Sequence, residues 1–168
     1  PDLVAPQLPT LVASVPAGED WLHEIKYDGY RTLARIDGGT VRLITRNGHD
    51  WTKRYGVLAD AFKALLCKSA LIDGEIVVQD AKGASKIGLL EDALSHGRSH
   101  EFTFFAFDLI YLDGYDLSAV PLHERKAALK ALIGPHLHAH SAIQYSDHIE
   151  GEGAALFANA SRIGLEGI

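Results

Sequence analysis

The sequence predicts an antiparallel-rich α+β domain, and three observations carry that prediction. Tight turns at Gly38-Gly39 and Asn47-Gly48 punctuate alternating, strand-like runs early in the chain. A strongly apolar run from Phe102 to Leu112 ends at Asp113-Gly114, as a buried strand before a turn would. Helical spacing enters between and after these runs without alternating with them one for one, which argues against a doubly wound parallel sheet. With 168 residues, 47% hydrophobic and 23% charged, the chain suits one globular domain with a real core.

Residues 1–20 hold four prolines (Pro1, Pro6, Pro9, Pro16) and read as an extended lead-in, leaving 21–168 as the domain. From Trp21 the pattern becomes β. Tyr30, Thr32, Ala34 and Ile36 alternate with Arg31, Leu33, Arg35 and Asp37, and Val41 to Thr45 is the return strand. Tyr55, Leu58, Ala59, Phe62, Leu65 and Leu66 predict a helix, with Asp50 or Thr52 to cap it. Ala70 to Val78 predicts a buried strand, interrupted by Asp73-Gly74-Glu75. Polar residues inside an apolar run are the local inconsistency that tends to mark a site.

A short helix follows at Leu89 to Leu94. Pro121 opens another, whose Leu122, Leu129, Leu132 and Ile133 share a face, and Gly134-Pro135 stops it. Ile143 to Tyr145 is a short strand, and Leu156, Phe157, Ala160 and Ile163 mark a last helix ended by Gly164. Gly164 to Ile168 reads as a turn and a strand that stops at once.

The formal charge of −6 argues against tight nucleic-acid binding through bulk electrostatics. Local phosphate contacts remain open, because Arg42, Arg46, Lys53 and Arg54 form a basic stretch after Lys26, Arg31 and Arg35. No apolar run approaches membrane-spanning length, so no membrane partner is expected. The single Cys67 cannot form an internal disulfide and reads as inert packing; the expected compartment is the cytoplasm. The chain contains no methionine, which suggests a processed or excised polypeptide. His136, His138 and His140 alternate, but no acid or cysteine accompanies them, so a solvated loop is expected there.

The most chemical stretch is Glu24-Ile25-Lys26-Tyr27-Asp28-Gly29-Tyr30-Arg31, with its Lys-x-Asp-Gly-x-Arg pattern. A lysine amine must shed its proton before it can act as a nucleophile, which takes desolvation or cationic neighbours. Gly29 allows close backbone approach, and Arg31 offers a planar fork suited to phosphate. Asp28 could orient the lysine or serve an Asp-Gly turn, and Tyr30 is expected in the core. Four further pieces follow in order: Thr45-Arg46-Asn47-Gly48, Asp73-Gly74-Glu75, Phe105-Ala106-Phe107-Asp108-Leu109-Ile110-Tyr111-Leu112-Asp113-Gly114, and Leu165-Glu166-Gly167-Ile168.

This ordered set resembles the covalent nucleotidyltransferases, specifically the adenylation domain of ATP-dependent DNA ligases. Pro121-Leu122-His123-Glu124-Arg125-Lys126 and Tyr145-Ser146-Asp147-His148 are most similar to the ligase domain of bacterial end-joining ligase D. The resemblance implies that Lys26 attacks the α-phosphate of ATP to give lysine–AMP. It implies that Glu24 reads the adenine amino group and Phe107 stacks on the base. Phe105 shares a face with Phe107, so the strand pattern alone leaves open which ring meets the base. Arg31 would hold the sugar–phosphate side, and Arg46 a phosphate near the nick. Glu75 would bond the ribose or help with metal, and Glu166 would hold Mg²⁺ or Mn²⁺.

The implied substrate is nicked or broken double-stranded DNA in the bacterial nucleoid. Implied partners are end-joining proteins such as Ku and polymerase or phosphoesterase domains. Ligases of this kind continue past Glu-Gly-Ile to a lysine-bearing strand and an OB-fold domain. This sequence stops before both, so the expectation is a C-terminally incomplete adenylation domain that seals nicks inefficiently. Two alternatives share the motifs: an RNA ligase or capping guanylyltransferase, and a non-catalytic fragment that binds nicks or partners. The long run ending in Asp113-Gly114 favours the DNA ligase over the first.

Overall fold

A computed structural model describes residues 1–136 and 141–168. The expectation of a loop at His136, His138 and His140 falls outside these residues, save for the His136 backbone in a 3-10 turn, Gly134–His136.

Strands β2 (Tyr30–Asp37) and β3 (Thr40–Thr45) form the expected hairpin. Gly38 and Gly39 both take positive φ, 55° and 82°, as a type I′ turn demands. β4 (Ser69–Val77) pairs antiparallel with β2, and β5 (Thr103–Leu112) pairs antiparallel with β4. The sheet order is β3-β2-β4-β5-β6, where β6 is only Tyr115–Asp116. β7 (Ile143–Tyr145) joins β5 in parallel after the helix α4 (Leu122–Ile133). A parallel pair needs such a crossover. The remaining strands, β1 (Leu22–Glu24) and β8 (His148–Glu150), make a separate antiparallel ribbon, followed by α5 (Gly153–Arg162).

Alternation along the strands divides the sheet into two faces. Thr32, Ala34 and Ile36 of β2, Ile72 and Ile76 of β4, and Phe104 and Ala106 of β5 are buried on one of them. That face is covered by α1 (Thr52–Tyr55), α2 (Leu58–Phe62), α3 (Ile87–Ser95) and α4, through Tyr55, Leu58, Phe62, Leu90, Leu129 and Ile133. Phe62 meets Phe104 edge-on at 5.0 Å, in the T-shaped geometry aromatic quadrupoles favour. The other face carries Arg31, Asp73, Glu75, Phe105 and Phe107.

The structure departs from expectation at the single helix from Tyr55 to Leu66. Gly56 at φ 56° breaks it into α1 and α2. A side chain there would collide with Ser99, whose Oγ lies 2.5 Å from the position of a Cβ. Leu65 is buried, but Leu66 is 83% exposed. Of the two candidate caps, Asp50 accepts through Oδ1 from the first helical amide, that of Thr52, at 3.0 Å. Thr52 is itself the first helical residue and its hydroxyl donates back to Asp50 at 2.6 Å, while the N-cap position, Trp51, supplies no side-chain cap. Among the described residues no helix is long and apolar enough to cross a membrane.

Candidate active site

The open sheet face is built from rows of laterally paired residues. Arg31 of β2 lies opposite Glu75 of β4, which lies opposite Phe105 of β5. Gly74 makes this possible: a Cβ there would sit 2.3 Å from the Phe104 ring and 2.6 Å from the Phe105 carbonyl oxygen. The polar interruption of β4 is thus a strand with its core face intact and two acids on the other face. Burial lifts the Glu75 carboxyl to about 7, with Arg31 and Lys26 only partly offsetting the desolvation.

Phe107 owes its setting to a bulge. Asp73 opposes Asp108 and Gly74 opposes Ala106, so Phe107 is the extra residue between them. Bulges re-aim side chains and recur beside active sites. The Arg31 guanidinium lies 4.6 Å from the centre of its ring. Asp73 grips the same guanidinium by two hydrogen bonds of 2.7 Å, Nε to Oδ1 and Nη2 to Oδ2. Phe105 instead stacks on Tyr27, with centroids 4.1 Å apart and planes at 15°. The two rings that the sequence left as alternatives therefore have different partners.

Lys26 follows β1 and forms a one-residue bridge with Gly167, donating its amide to the Gly167 carbonyl at 3.0 Å. That bridge sets Glu166 beside Lys26, and Nζ makes an ion pair with the Glu166 carboxylate. The neighbouring Asp28 has a local duty. Its Oδ2 accepts from the Ile87 amide at 2.9 Å and so caps α3, whose own preceding residue supplies no side-chain cap. Gly29 also serves the fold, since a Cβ would lie 2.2 Å from the Ile76 carbonyl oxygen. The close approach read from the sequence as toward a ligand is toward β4.

Glu24 is held by Lys126 of α4 in an ion pair. Burial raises the Glu24 carboxyl above its ordinary value, and Lys126 works against that rise. Arg46 stands in the turn after β3, where its amide donates to the Arg31 carbonyl at 3.1 Å while its side chain is exposed. A groove beside it runs between Leu3–Pro6 and the turn at Thr45 and Gly48, over Arg31, Leu33, Ile44 and Asp73. This groove does not include Lys26, Glu24, Glu75 or Phe107, which lie outside it.

Comparisons with known proteins bear on the family and the fold. The family described as "ATP dependent DNA ligase domain" matches residues 6–168. The chain belongs to the ATP-dependent DNA ligase domain family. It is 40% identical over its whole length to the multifunctional non-homologous end joining protein LigD of Pseudomonas aeruginosa, covering 20% of that protein. Over 169 aligned residues it is 34% identical to LigD of Mycobacterium tuberculosis, covering 99% of this chain and 21% of that one. The solved ligase domain of M. tuberculosis LigD superposes with a TM-score of 0.73 at 34% identity, covering 88% of this chain and 46% of that one. A mycobacterial DNA ligase D solved with ATP and MES gives 0.72 at 32% identity, with the same coverage. The chain thus spans about a fifth of the length of the curated relatives it matches. The expected fold, an antiparallel-rich adenylation domain, is the one observed.

Within this ligase domain, the residues singled out by sequence converge unequally. Lys26 with Glu166, and Arg31 with Phe107, are in direct contact. Glu75 is the strand neighbour of Arg31. Glu24 reaches Phe107 through Lys126, which also donates to the Phe107 carbonyl at 3.3 Å. Arg46 joins through its backbone alone among the contacts described. Sequence reasoning missed Asp73 as the partner of Arg31, although it flagged the interruption that contains it. It missed Lys126 entirely as a site residue. Lys126 stands on the apolar face of α4, four residues after Leu122 and three before Leu129, so the pattern signals a buried cation but not its partner 102 residues away. Among the described residues no group of three or more His, Cys, Asp or Glu is arranged to hold a metal.

Proposed function

We propose that this domain adenylates itself on Lys26 and passes the AMP to the 5′-phosphate of a DNA break, in repair by end joining. The observation that carries the reading is that Lys26, ion-paired with Glu166, comes within electrostatic reach of Glu75, the strand neighbour of Arg31, which lies against Phe107, within a fold shared with ligase D. The Lys26 nitrogen attacks the α-phosphorus of ATP. The N–P bond forms as the bond to the bridging oxygen breaks, pyrophosphate leaves, and the amine gives up its proton. The AMP then moves to the 5′-phosphate, and the 3′-hydroxyl displaces it to close the phosphodiester. Residues 21–168 form the nucleotidyltransferase unit, with 1–20 as the lead-in.

Such phosphoryl transfer depends on positioning and charge neutralisation more than on covalent help. Phe107 offers a stacking face, Arg31 meets the sugar–phosphate side, and Glu24 meets the adenine amino group. Arg46, exposed on its turn, is free to reach a phosphate of the break. Mg²⁺ or Mn²⁺ fits Glu75 and Glu166, because both are oxygen donors and the desolvation of Glu75 is only partly offset by Arg31 and Lys26. Bound there, the metal would supply neutralisation of the phosphate charge. Interactions with Ku and with polymerase or phosphoesterase domains belong to the same reading, as does a place in the cytoplasm on the nucleoid.

Incubation with labelled ATP and, separately, labelled GTP tests the reaction class. ATP alone should label the protein, and labelling by GTP would favour a capping-type enzyme. No label from either would leave a non-catalytic module. The acidic chain should bind nicked DNA weakly, each neutralised phosphate adding a slope of roughly −0.9 in a log–log salt plot. A preadenylylated nick should be sealed better than a plain nick with ATP.

A further inference from the structure

Lys126 is the only lysine among the described residues whose side chain is fully buried. Its ammonium has three N–H donors. They meet Glu24 Oε1, the Ser146 carbonyl at 3.0 Å and the Phe107 carbonyl at 3.3 Å. The Tyr145 ring adds a cation–π contact at 4.9 Å. Every donor is used, and the three acceptors come from β1, from the residue after β7 and from the bulge of β5. Ion pairs of this kind rarely add net stability, since an apolar replacement of both partners is often as good. What the pair does supply is a fixed position and ionisation state for Glu24. Lys126 bonds Oε1, and the Glu24 side chain stays 27% exposed, which leaves it reachable by a ligand.

We propose that Lys126 is a positioning residue that holds Glu24 as an acceptor-only group, and thereby sets the choice of a base bearing an amino group over one bearing a carbonyl. The proposal rests on the reading in which Glu24 meets the base. An ionised carboxylate accepts a hydrogen bond from the adenine amine but repels the guanine carbonyl oxygen. A protonated carboxyl can donate to that oxygen, and the discrimination is lost. The groups that face Glu24 are Lys126 of α4, His148 of β8, Asp108 of β5, Tyr145 of β7 and the nearby Tyr27. Of these, Lys126 is the largest force opposing the upward pull of burial. Phe107 does not confuse the outcome. Stacking is tolerant of base identity, so a displaced ring would weaken both nucleotides alike.

The test is equilibrium binding of the α,β-methylene analogues of ATP and GTP to the 168-residue chain, across about pH 6 to 8. The unaltered chain should prefer the adenine analogue by a ratio that changes little with pH. In Lys126→Met that ratio should fall about tenfold or more at the acidic end and recover as pH rises. A folded Lys126→Met with an unchanged, pH-flat ratio overturns the proposal if Glu24→Ala abolishes discrimination. Unchanged discrimination in Glu24→Ala overturns the base-reading role itself, and the proposal with it. Should Lys126→Met fail to fold, Lys126→Met combined with Glu24→Gln leaves no buried charge unpaired. Its ratio should equal that of Glu24→Gln alone, and a further drop would show that Lys126 does not act through Glu24.

Discussion

Asp73 holds Arg31 by two parallel hydrogen bonds of 2.7 Å, across a pair of strands and 42 residues of sequence. Bidentate pairing fixes the plane of the guanidinium as well as its position. The Arg31 side chain is thereby set over Phe107 before any ligand arrives.

Asp73→Ala should therefore cost about 2–3 kcal/mol of stability, because it leaves a largely buried guanidinium unpaired. Urea unfolding measures it. Arg31→Ala made in the Asp73→Ala background should cost little more, giving a coupling of about 1 kcal/mol or above. Additive losses would mean that the two residues act independently.

Glu75 makes stability depend on pH. Burial lifts its carboxyl from 4.5 to about 7, so between those values the folded chain keeps a proton that the unfolded chain has released. The contribution is full below the unfolded value and is lost as pH rises through the folded one. Glu75→Gln, which cannot titrate, should gain on the parent by on the order of 2 kcal/mol between about pH 4 and pH 8. A constant difference across that range would contradict the assignment.

Phe107→Ala should weaken ATP binding by about 1–3 kcal/mol, the range for a base stacked on an aromatic ring. Phe105→Ala, which removes the partner of Tyr27, should act mainly on stability. Loss of stability in Phe107→Ala with unchanged ATP affinity would make that ring part of the fold only.

The hairpin of β2 and β3 was legible because Gly38-Gly39 joins two alternating runs, and alternation is what a half-buried strand requires. Asp73-Gly74-Glu75 was legible as an anomaly, since acids inside an apolar run must face away from the core. The partners of those acids were not. Arg31 with Asp73 and Glu24 with Lys126 are set by strand register and helix docking, which no local pattern records. The bulge at Phe107 is likewise invisible, because it depends on how β5 is laid against β4. β6 and β8 are too short to show a period. The break between α1 and α2 had a visible cause in Gly56, which helical spacing on both sides outweighed.

The central claim is that Lys26 is the AMP acceptor, and intact mass spectrometry with peptide mapping tests it most directly. After incubation with ATP and Mg²⁺, one AMP should be found on Lys26, with none on Lys26→Ala. An adduct mapped to Lys53 or Lys86, or one that persists in Lys26→Ala, would contradict the account.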